Sequence, residues 1–136
     1  MGGRRMVAAV GVTLCSILAL MVQGERAEAQ SRVSIYDLYV FDWLGAVKVV
    51  WKAAGPEEDE AVFQIYRSEV QNGPFTLIQE IRRGDRDFLD PLTGNYVFYD
   101  RKVKRDRSYY YQVRLRGTNM VLGPARALAR SGPPGT

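Results

Sequence analysis

Most of this chain carries a hydrophobic alternation with a period of two residues, and this pattern constrains the fold more than any other feature. It is clearest between Ser108 and Arg116, where Tyr109, Tyr111 and Val113 share one face with Leu115. Alternation of this kind indicates β-strands with one buried face. No window after the first thirty residues offers a convincing helical stripe with caps. The pattern therefore predicts an all-β domain.

Turn signals recur at roughly ten-residue intervals, which is typical of a sandwich or barrel. The seven predicted strands are Val33–Leu38, Val47–Trp51, Phe63–Arg67, Phe75–Ile81, Tyr96–Tyr99, Ser108–Arg116 and Ala125–Ala129. In the fourth strand we expect Leu77 to point inward, with Phe75 as a further candidate. Residues 42–45 form a predicted turn, and residues 82–95 form the longest predicted loop.

The first 29 residues have the three parts of a secretory signal peptide. Arg4 and Arg5 precede an uncharged apolar run from Met6 to Val22, and Ala27-Glu28-Ala29 follows as a small-x-small cleavage site. We expect cleavage after Ala29 and export to the periplasm, the cell surface or the medium of a bacterium. The alternative is an uncleaved anchor, because the apolar run just reaches the lower limit for spanning a bilayer.

Residues 30–130 form the predicted domain, and residues 131–136, rich in Gly and Pro, form a flexible tail. The chain has no His, and its only Cys is Cys15 in the signal segment. The domain therefore lacks the usual general base, thiol nucleophile and zinc ligands, and we expect no enzymatic activity, no cofactor and no bound metal. The formal net charge of +4 is too small to indicate a nucleic-acid binder.

Five pieces of sequence, in order, resemble a fibronectin type III domain, especially bacterial members whose third strand ends in Ile-Tyr-Arg-Ser. The pieces are Val47-x-Val49-x-Trp51, Phe63-x-Ile65-Tyr66-Arg67-Ser68, Gly73-Pro74-Phe75-x-Leu77-Ile78, Phe98-Tyr99-Asp100 and Tyr109-x-Tyr111-x-Val113-x-Leu115. The resemblance implies a seven-stranded, immunoglobulin-like sandwich of two sheets. It also implies that Trp51 lies between the sheets and that the Tyr109 hydroxyl bonds an upstream backbone group. The predicted structural core comprises Trp51, Ile65, Tyr109, Tyr111 and Val113.

The outward faces of the third and sixth strands form the predicted interface. Gln64 and Tyr66 should lie beside Tyr110, Gln112 and Arg114, and Tyr and Arg are enriched in protein interfaces. We therefore expect a non-enzymatic protein-binding or assembly module, an accessory or structural subunit of a bacterial surface or periplasmic complex. It would contact its partner through this face or by adding an edge strand to a neighbouring sheet.

Two other modes of binding stay open. Trp43, placed in the first loop, and the outward tyrosines offer stacking platforms for a carbohydrate, although Trp43 also suits a cap on the end of the core. Arg83-Gly84-Asp85 is the tripeptide that integrin-binding members of the family display, which makes an adhesin the other alternative. In those members, however, the tripeptide lies between the last two strands.

Two charged segments could each be a binding site for a ligand or a solvated surface loop. Asp85, Asp87 and Asp90 offer carboxylates for calcium, but neighbouring arginines and the absence of a Gly-punctuated ligand pattern favour a solvated loop. The basic stretch Arg101–Arg107 suits an acidic polysaccharide, a lipid headgroup or nucleic acid, but no aromatic residue is interleaved for stacking. We expect no nucleic-acid partner, and membrane contact only through an uncleaved signal segment.

Overall fold

A computed structural model describes residues 32–130 of the chain, so the predicted signal peptide (residues 1–29) and the predicted flexible tail (residues 131–136) lie outside the described residues. The described part contains seven β-strands and one turn of 3-10 helix, Arg86–Phe88. The strands are β1 (Ser34–Trp43), β2 (Ala46–Ala54), β3 (Val62–Ser68), β4 (Thr76–Arg82), β5 (Tyr96–Asp100), β6 (Arg107–Leu115) and β7 (Val121–Ala129).

These strands form two antiparallel sheets. The first has the order β1-β2-β5 and the second the order β4-β3-β6-β7. The fourth strand pairs with the third and so belongs to the second sheet, whereas in constant-type immunoglobulin domains it belongs to the first. The predicted all-β, seven-stranded, fibronectin type III-like sandwich is confirmed.

The hairpin between β1 and β2 is tighter than the sequence suggested. Leu44 and Gly45 have φ values of 50° and 83°, and Trp43 pairs directly with Ala46. Positive φ at both central residues defines a two-residue type I′ turn, whose twist matches that of the flanking strands. Trp43 is therefore the last residue of β1 rather than part of a loop, because only two residues are needed to reverse the chain.

β4 contains one residue more than its partner, and this reverses the predicted orientation of Leu77. The register with β3 shifts beside Tyr66, which pairs with Leu77 and leaves Ile78 as the extra residue of a β-bulge. One inserted residue moves every side chain on one side of it to the opposite face. Ile81 is accordingly buried, while Leu77 is 40% exposed. The expectation that Leu77 points inward is wrong for this reason.

The inward faces of the two sheets meet around Trp51. Its ring lies 5.7 Å from Phe63, edge to face, and 5.7 Å from Tyr96, stacked. The predicted core residues are all at most 2% exposed: Trp51, Ile65, Tyr109, Tyr111 and Val113. Trp51 Nε1 has no hydrogen-bond partner within the described residues, so this side chain stabilises the sandwich by packing rather than by a polar anchor.

Tyr109 and Arg67 meet at the start of β6. The Tyr109 hydroxyl accepts a hydrogen bond of 2.7 Å from the backbone N–H of Lys104, five residues upstream. This is the upstream backbone contact that the family resemblance implies. The guanidinium carbon of Arg67 lies 5.5 Å from the centre of the Tyr109 ring. The ring therefore fixes the end of the β5–β6 connection and supports an arginine from β3.

Asp100 forms a polar link between the two sheets, although its side chain is almost fully buried. Its Oδ2 accepts hydrogen bonds from Tyr111 on β6 at 2.7 Å and from Arg67 on β3 at 2.8 Å. Its Oδ1 accepts one from the backbone of Lys102 at 3.1 Å. Burial raises the pKa of the Tyr111 hydroxyl, and the hydrogen bond to Asp100 raises it further. The buried carboxylate is thus fully partnered.

Candidate binding surfaces

The register of β3 and β6 brings the predicted interface residues to one outward surface. Gln64 pairs with Arg114 and Tyr66 with Gln112, while Tyr110 lies further along β6. Directly opposed residues in antiparallel strands point to the same side of the sheet. We call this surface the tyrosine–arginine face. It consists of Gln64, Tyr66, Tyr110, Gln112 and Arg114.

Its centre is a stack of Arg114 on Tyr66. The guanidinium carbon lies 3.8 Å from the ring centroid, within the range of a cation–π contact. Arg114 also donates hydrogen bonds from Nη2 and Nε to the Gln112 side-chain oxygen, at 2.7 and 3.2 Å. Gln64 donates to Glu80 on β4 at 3.2 Å. These half-buried side chains are therefore held in place before any partner binds.

The fold adds three residues that the sequence did not indicate. Leu77 joins the face because the bulge in β4 turns it outward beside Tyr66. Arg126 pairs with Tyr110, and Leu128 follows on the same side of β7; Leu77 and Leu128 are both exposed large hydrophobic residues. Neither the bulge in β4 nor the register of β7 can be predicted from the alternation alone, so these three residues could not be assigned to the face in advance.

The first sheet has a second and more exposed aromatic surface. Tyr36, Tyr39, Phe41 and Trp43 lie on β1 and are between 40% and 59% exposed. Trp43, which the sequence singled out by itself, is thus one of a row. The alternation Tyr39-x-Phe41-x-Trp43 indicates that these side chains share one face of a strand. It was missed because the first predicted strand ended at Leu38, whereas β1 continues to Trp43.

A lysine lies among the rings at the end of this row. Lys48 Nζ is 4.9 Å from the centre of the Trp43 ring, 5.6 Å from that of Phe41 and 5.7 Å from that of Tyr99. The Phe41 and Trp43 rings meet edge to face at 82°. We call the cluster of Phe41, Trp43, Leu44, Lys48 and Tyr99 the aromatic tip.

The basic stretch leaves β5 beside the aromatic tip. Lys48 pairs with Tyr99 across β2 and β5, and the guanidinium carbon of Arg101 lies 5.5 Å from the Tyr99 ring. Four cations here make no ion pair with any residue between 32 and 130: Lys48, Arg101, Lys102 and Lys104. The aromatic residues missing from the basic stretch itself are therefore supplied by neighbouring strands.

A shallow depression of about 380 Å³ lies between β5 and the 3-10 turn. Its lining includes Lys48 and Arg101 but also Asp87 and Asp90, and its walls include Phe98. Because the positive and negative groups balance, the depression by itself does not select an anion.

Arg83 of Arg83-Gly84-Asp85 is bound into the fold. Its guanidinium donates hydrogen bonds to the backbone carbonyls of Gly55, at 2.6 Å, and of Pro56 in the β2–β3 loop. The arginine therefore ties two connections of the sandwich together.

The neighbouring aspartates organise their own loop. Asp85 Oδ1 accepts the backbone N–H of Asp87 at 3.1 Å, and Asp90 Oδ1 accepts that of Leu92 at 2.9 Å. Among residues 32–130, no three His, Cys, Asp or Glu side chains are grouped to hold a metal ion. In the same range, no helix is long and apolar enough to cross a bilayer.

Comparison with protein-family models finds no match for the chain, and comparison with curated proteins finds no significant relative. The class of the domain therefore rests on its architecture, which is that of a fibronectin type III-like, immunoglobulin-like β-sandwich. The resemblance of individual residues to the fibronectin type III family stays a prediction.

Proposed function

We propose that this domain is an exported, non-enzymatic protein-binding module that uses the tyrosine–arginine face, and that it serves as an accessory or structural subunit of a bacterial surface or periplasmic complex. The observation that carries the proposal is the stack of Arg114 on Tyr66 at 3.8 Å. Tyr and Arg at the centre of a surface, surrounded by apolar contacts, are the usual composition of an interface hot spot.

The side chains of this face are already held in fixed conformations, which lowers the entropic cost of binding. Arg114 is held by both the Tyr66 ring and Gln112, so fewer rotamers are lost when a partner docks. Neither Arg114 nor Arg126 has a carboxylate partner within the described residues. We expect the partner to supply one to each, beside apolar side chains that cover Leu77 and Leu128.

The absence of catalysis is part of the proposal and is supported by composition. Residues 30–136 contain neither His nor Cys, which removes the most common general base and the thiol nucleophile. The most buried carboxylate, Asp100, is occupied by Arg67 and Tyr111.

Carbohydrate binding through Trp43 is the second candidate, favoured by the exposed ring of this residue. The geometry fits a flat sugar chain poorly, because the Phe41 and Trp43 rings lie at 82° to each other. Lys48 also lies over the Trp43 ring. Adhesion through Arg83 is a weaker alternative, since its guanidinium is held by backbone carbonyls.

The test is quantitative co-purification of the processed protein from the cells that produce it. The variant Tyr66→Ala/Tyr110→Ala and the variant Arg114→Glu should both lose the partner, at least tenfold, while far-ultraviolet circular dichroism stays unchanged. Tyr39→Ala, on the other sheet, is the matched control and should retain it. An unchanged partner yield in all three variants would remove this face as the interface, and recovery of a polysaccharide lost only in Trp43→Ala would favour the second candidate.

A further inference from the structure

Leu44 is unusual for its position in two independent ways. It is 66% exposed at the point of the β1–β2 hairpin, and its φ of 50° lies in the left-handed region. Type I′ turns prefer Asn, Asp or Gly at this position, and left-handed backbone is unfavourable for a large side chain. A leucine that is both strained and exposed points to a use of the apolar side chain in contact with something outside the domain.

The surroundings of Leu44 are aromatic and positively charged. Trp43 and Phe41 are exposed beside it, and the Lys48 ammonium is held over their rings. Three further cations without ion pairs in residues 32–130 follow in the adjacent β5–β6 connection: Arg101, Lys102 and Lys104. Among the carboxylates near the tip, Asp42 accepts the backbone N–H of Arg130, and Asp87 and Asp90 line the depression beside Lys48 and Arg101. The four cations without ion pairs in this range outnumber these three carboxylates.

We infer that the aromatic tip docks the domain onto an anionic lipid bilayer. Leu44 would enter the boundary between headgroups and acyl chains, and the amphipathic ring of Trp43 would lie at headgroup level. Lys48, Arg101 and Lys102 would contact anionic headgroups, each adding to the affinity in proportion to the surface charge. This extends membrane contact beyond an uncleaved signal segment, and it does not depend on the proposed protein partner, which binds the other sheet.

The shape and charge of the tip favour a bilayer over other occupants. A second copy of the chain would bring the same unpaired cations face to face, which is repulsive. A polysaccharide is disfavoured by the 82° angle between the rings. Leu44 is largely exposed at a two-residue turn, and an exposed apolar side chain suits a deformable interface, whereas docking on a protein would require a matching pocket.

Vesicle binding by the processed protein tests the inference, with vesicles of phosphatidylcholine alone or mixed with phosphatidylglycerol as probes. We expect co-sedimentation with the mixed vesicles only, weakening as salt is raised. Brominated phosphatidylcholine should quench tryptophan fluorescence. The signal reports on the tip, because the only other tryptophan, Trp51, is fully buried and the signal segment contains none.

Charge reversal distinguishes binding through the tip from non-specific attraction of the domain by its net positive charge. Lys48→Glu/Arg101→Glu/Lys102→Glu should weaken vesicle binding by at least about fivefold for each cation removed. The matched control reverses three cations towards the opposite end of the sandwich, Lys52, Arg82 and Arg116, and should retain most of the binding. Equal losses in both triple variants would overturn the inference, as would equal binding to both kinds of vesicle or no binding at all.

Leu44→Asn provides a test that misfolding cannot imitate. Asn adopts the left-handed turn more readily than Leu, so we expect a higher midpoint of thermal unfolding together with weaker vesicle binding and less quenching of Trp43. Undiminished vesicle binding in this variant would contradict insertion of the tip. Binding to polyglutamate or polygalacturonate with no binding to vesicles would assign the tip to a soluble polyanion and overturn the proposal.

Discussion

The Asp100 side chain, at the end of the first sheet, accepts hydrogen bonds from side chains on two strands of the second sheet. A buried carboxylate without partners is strongly unfavourable, and removal of one donor leaves part of that penalty uncompensated. Here Arg67 and Tyr111 come from β3 and β6, while Asp100 itself ends β5. The three side chains fix how the edge of the first sheet lies over the second, which apolar packing alone specifies less tightly.

Tyr111→Phe tests this contact and its dependence on pH. We expect a loss of about 1–3 kcal/mol in the free energy of unfolding at neutral pH, because Asp100 loses a buried donor. The pKa of Tyr111 is raised in the folded state, first by burial and then by the hydrogen bond to Asp100. Its contribution is therefore complete below the unfolded pKa of about 10 and declines as the pH rises above that value.

Urea unfolding between neutral and strongly alkaline pH measures both effects. The wild-type protein should lose stability above about pH 10 more steeply than Tyr111→Phe, so the two curves should converge. Tyr110→Phe is the control, since this neighbouring tyrosine lies on the outward face. Parallel curves for wild type and Tyr111→Phe would show that Tyr111 does not titrate differently in the folded protein.

The bulge in β4 decides which side chains of this strand reach the core. Ile81 is buried, whereas Leu77 is exposed on the tyrosine–arginine face. Ile81→Ala should therefore destabilise the domain by about 2–5 kcal/mol through the cavity it leaves. Leu77→Ala should change stability by no more than about 0.5 kcal/mol. Thermal or urea unfolding of the two variants distinguishes them, and comparable losses would mean that the strand has no bulge.

The strands themselves were predictable because alternation and turn residues act locally. The two errors in placing side chains come from single-residue effects: an inserted Ile78 reverses Leu77, and a two-residue turn keeps Trp43 in β1. An alternating pattern assigns each side chain to one of the two faces of the sheet only as long as the strand contains no inserted residue. The left-handed conformation of Leu44 could not be predicted either, because a leucine is not expected in a type I′ turn.

Arg83 ties the β4–β5 connection to the β2–β3 loop through its hydrogen bonds to the carbonyls of Gly55 and Pro56. Arg83→Ala should lower the free energy of unfolding by about 0.5–1.5 kcal/mol, because the carbonyls of Gly55 and Pro56 in the β2–β3 loop lose a donor. Limited proteolysis should then cut near Gly55 and Pro56 sooner than in wild type. Arg82→Ala, an exposed neighbour, is the control, and equal protease resistance in both variants would show that the tie contributes nothing.

At the scale of the whole molecule, the candidate contacts lie on different sheets. The tyrosine–arginine face belongs to β3 and β6 and could be predicted, because alternation assigns their outward residues. The aromatic tip could not, because it combines residues of β1, the β1–β2 turn, β2 and β5. Only pairing of Lys48 with Tyr99 and of Trp43 with Ala46 brings these segments together. Long-range register of this kind is not encoded in any one local pattern.

If both proposals hold, the two surfaces should bind independently. Residues from the two sheets pack closely around Trp51, and such a core transmits no coupling unless it has two arrangements. Without coupling, the partner does not change the affinity of the domain for vesicles, and by reciprocity vesicles do not change its affinity for the partner. Vesicle-bound protein should bind its purified partner with the affinity measured in solution, within about twofold, which corresponds to a coupling free energy smaller than about 0.5 kcal/mol.

Variants of each surface test the same independence. Tyr66→Ala/Tyr110→Ala should abolish partner binding and leave vesicle binding unchanged, while Lys48→Glu/Arg101→Glu/Lys102→Glu should abolish vesicle binding and leave partner binding unchanged. A single variant that removes both activities would show that the surfaces act as one site.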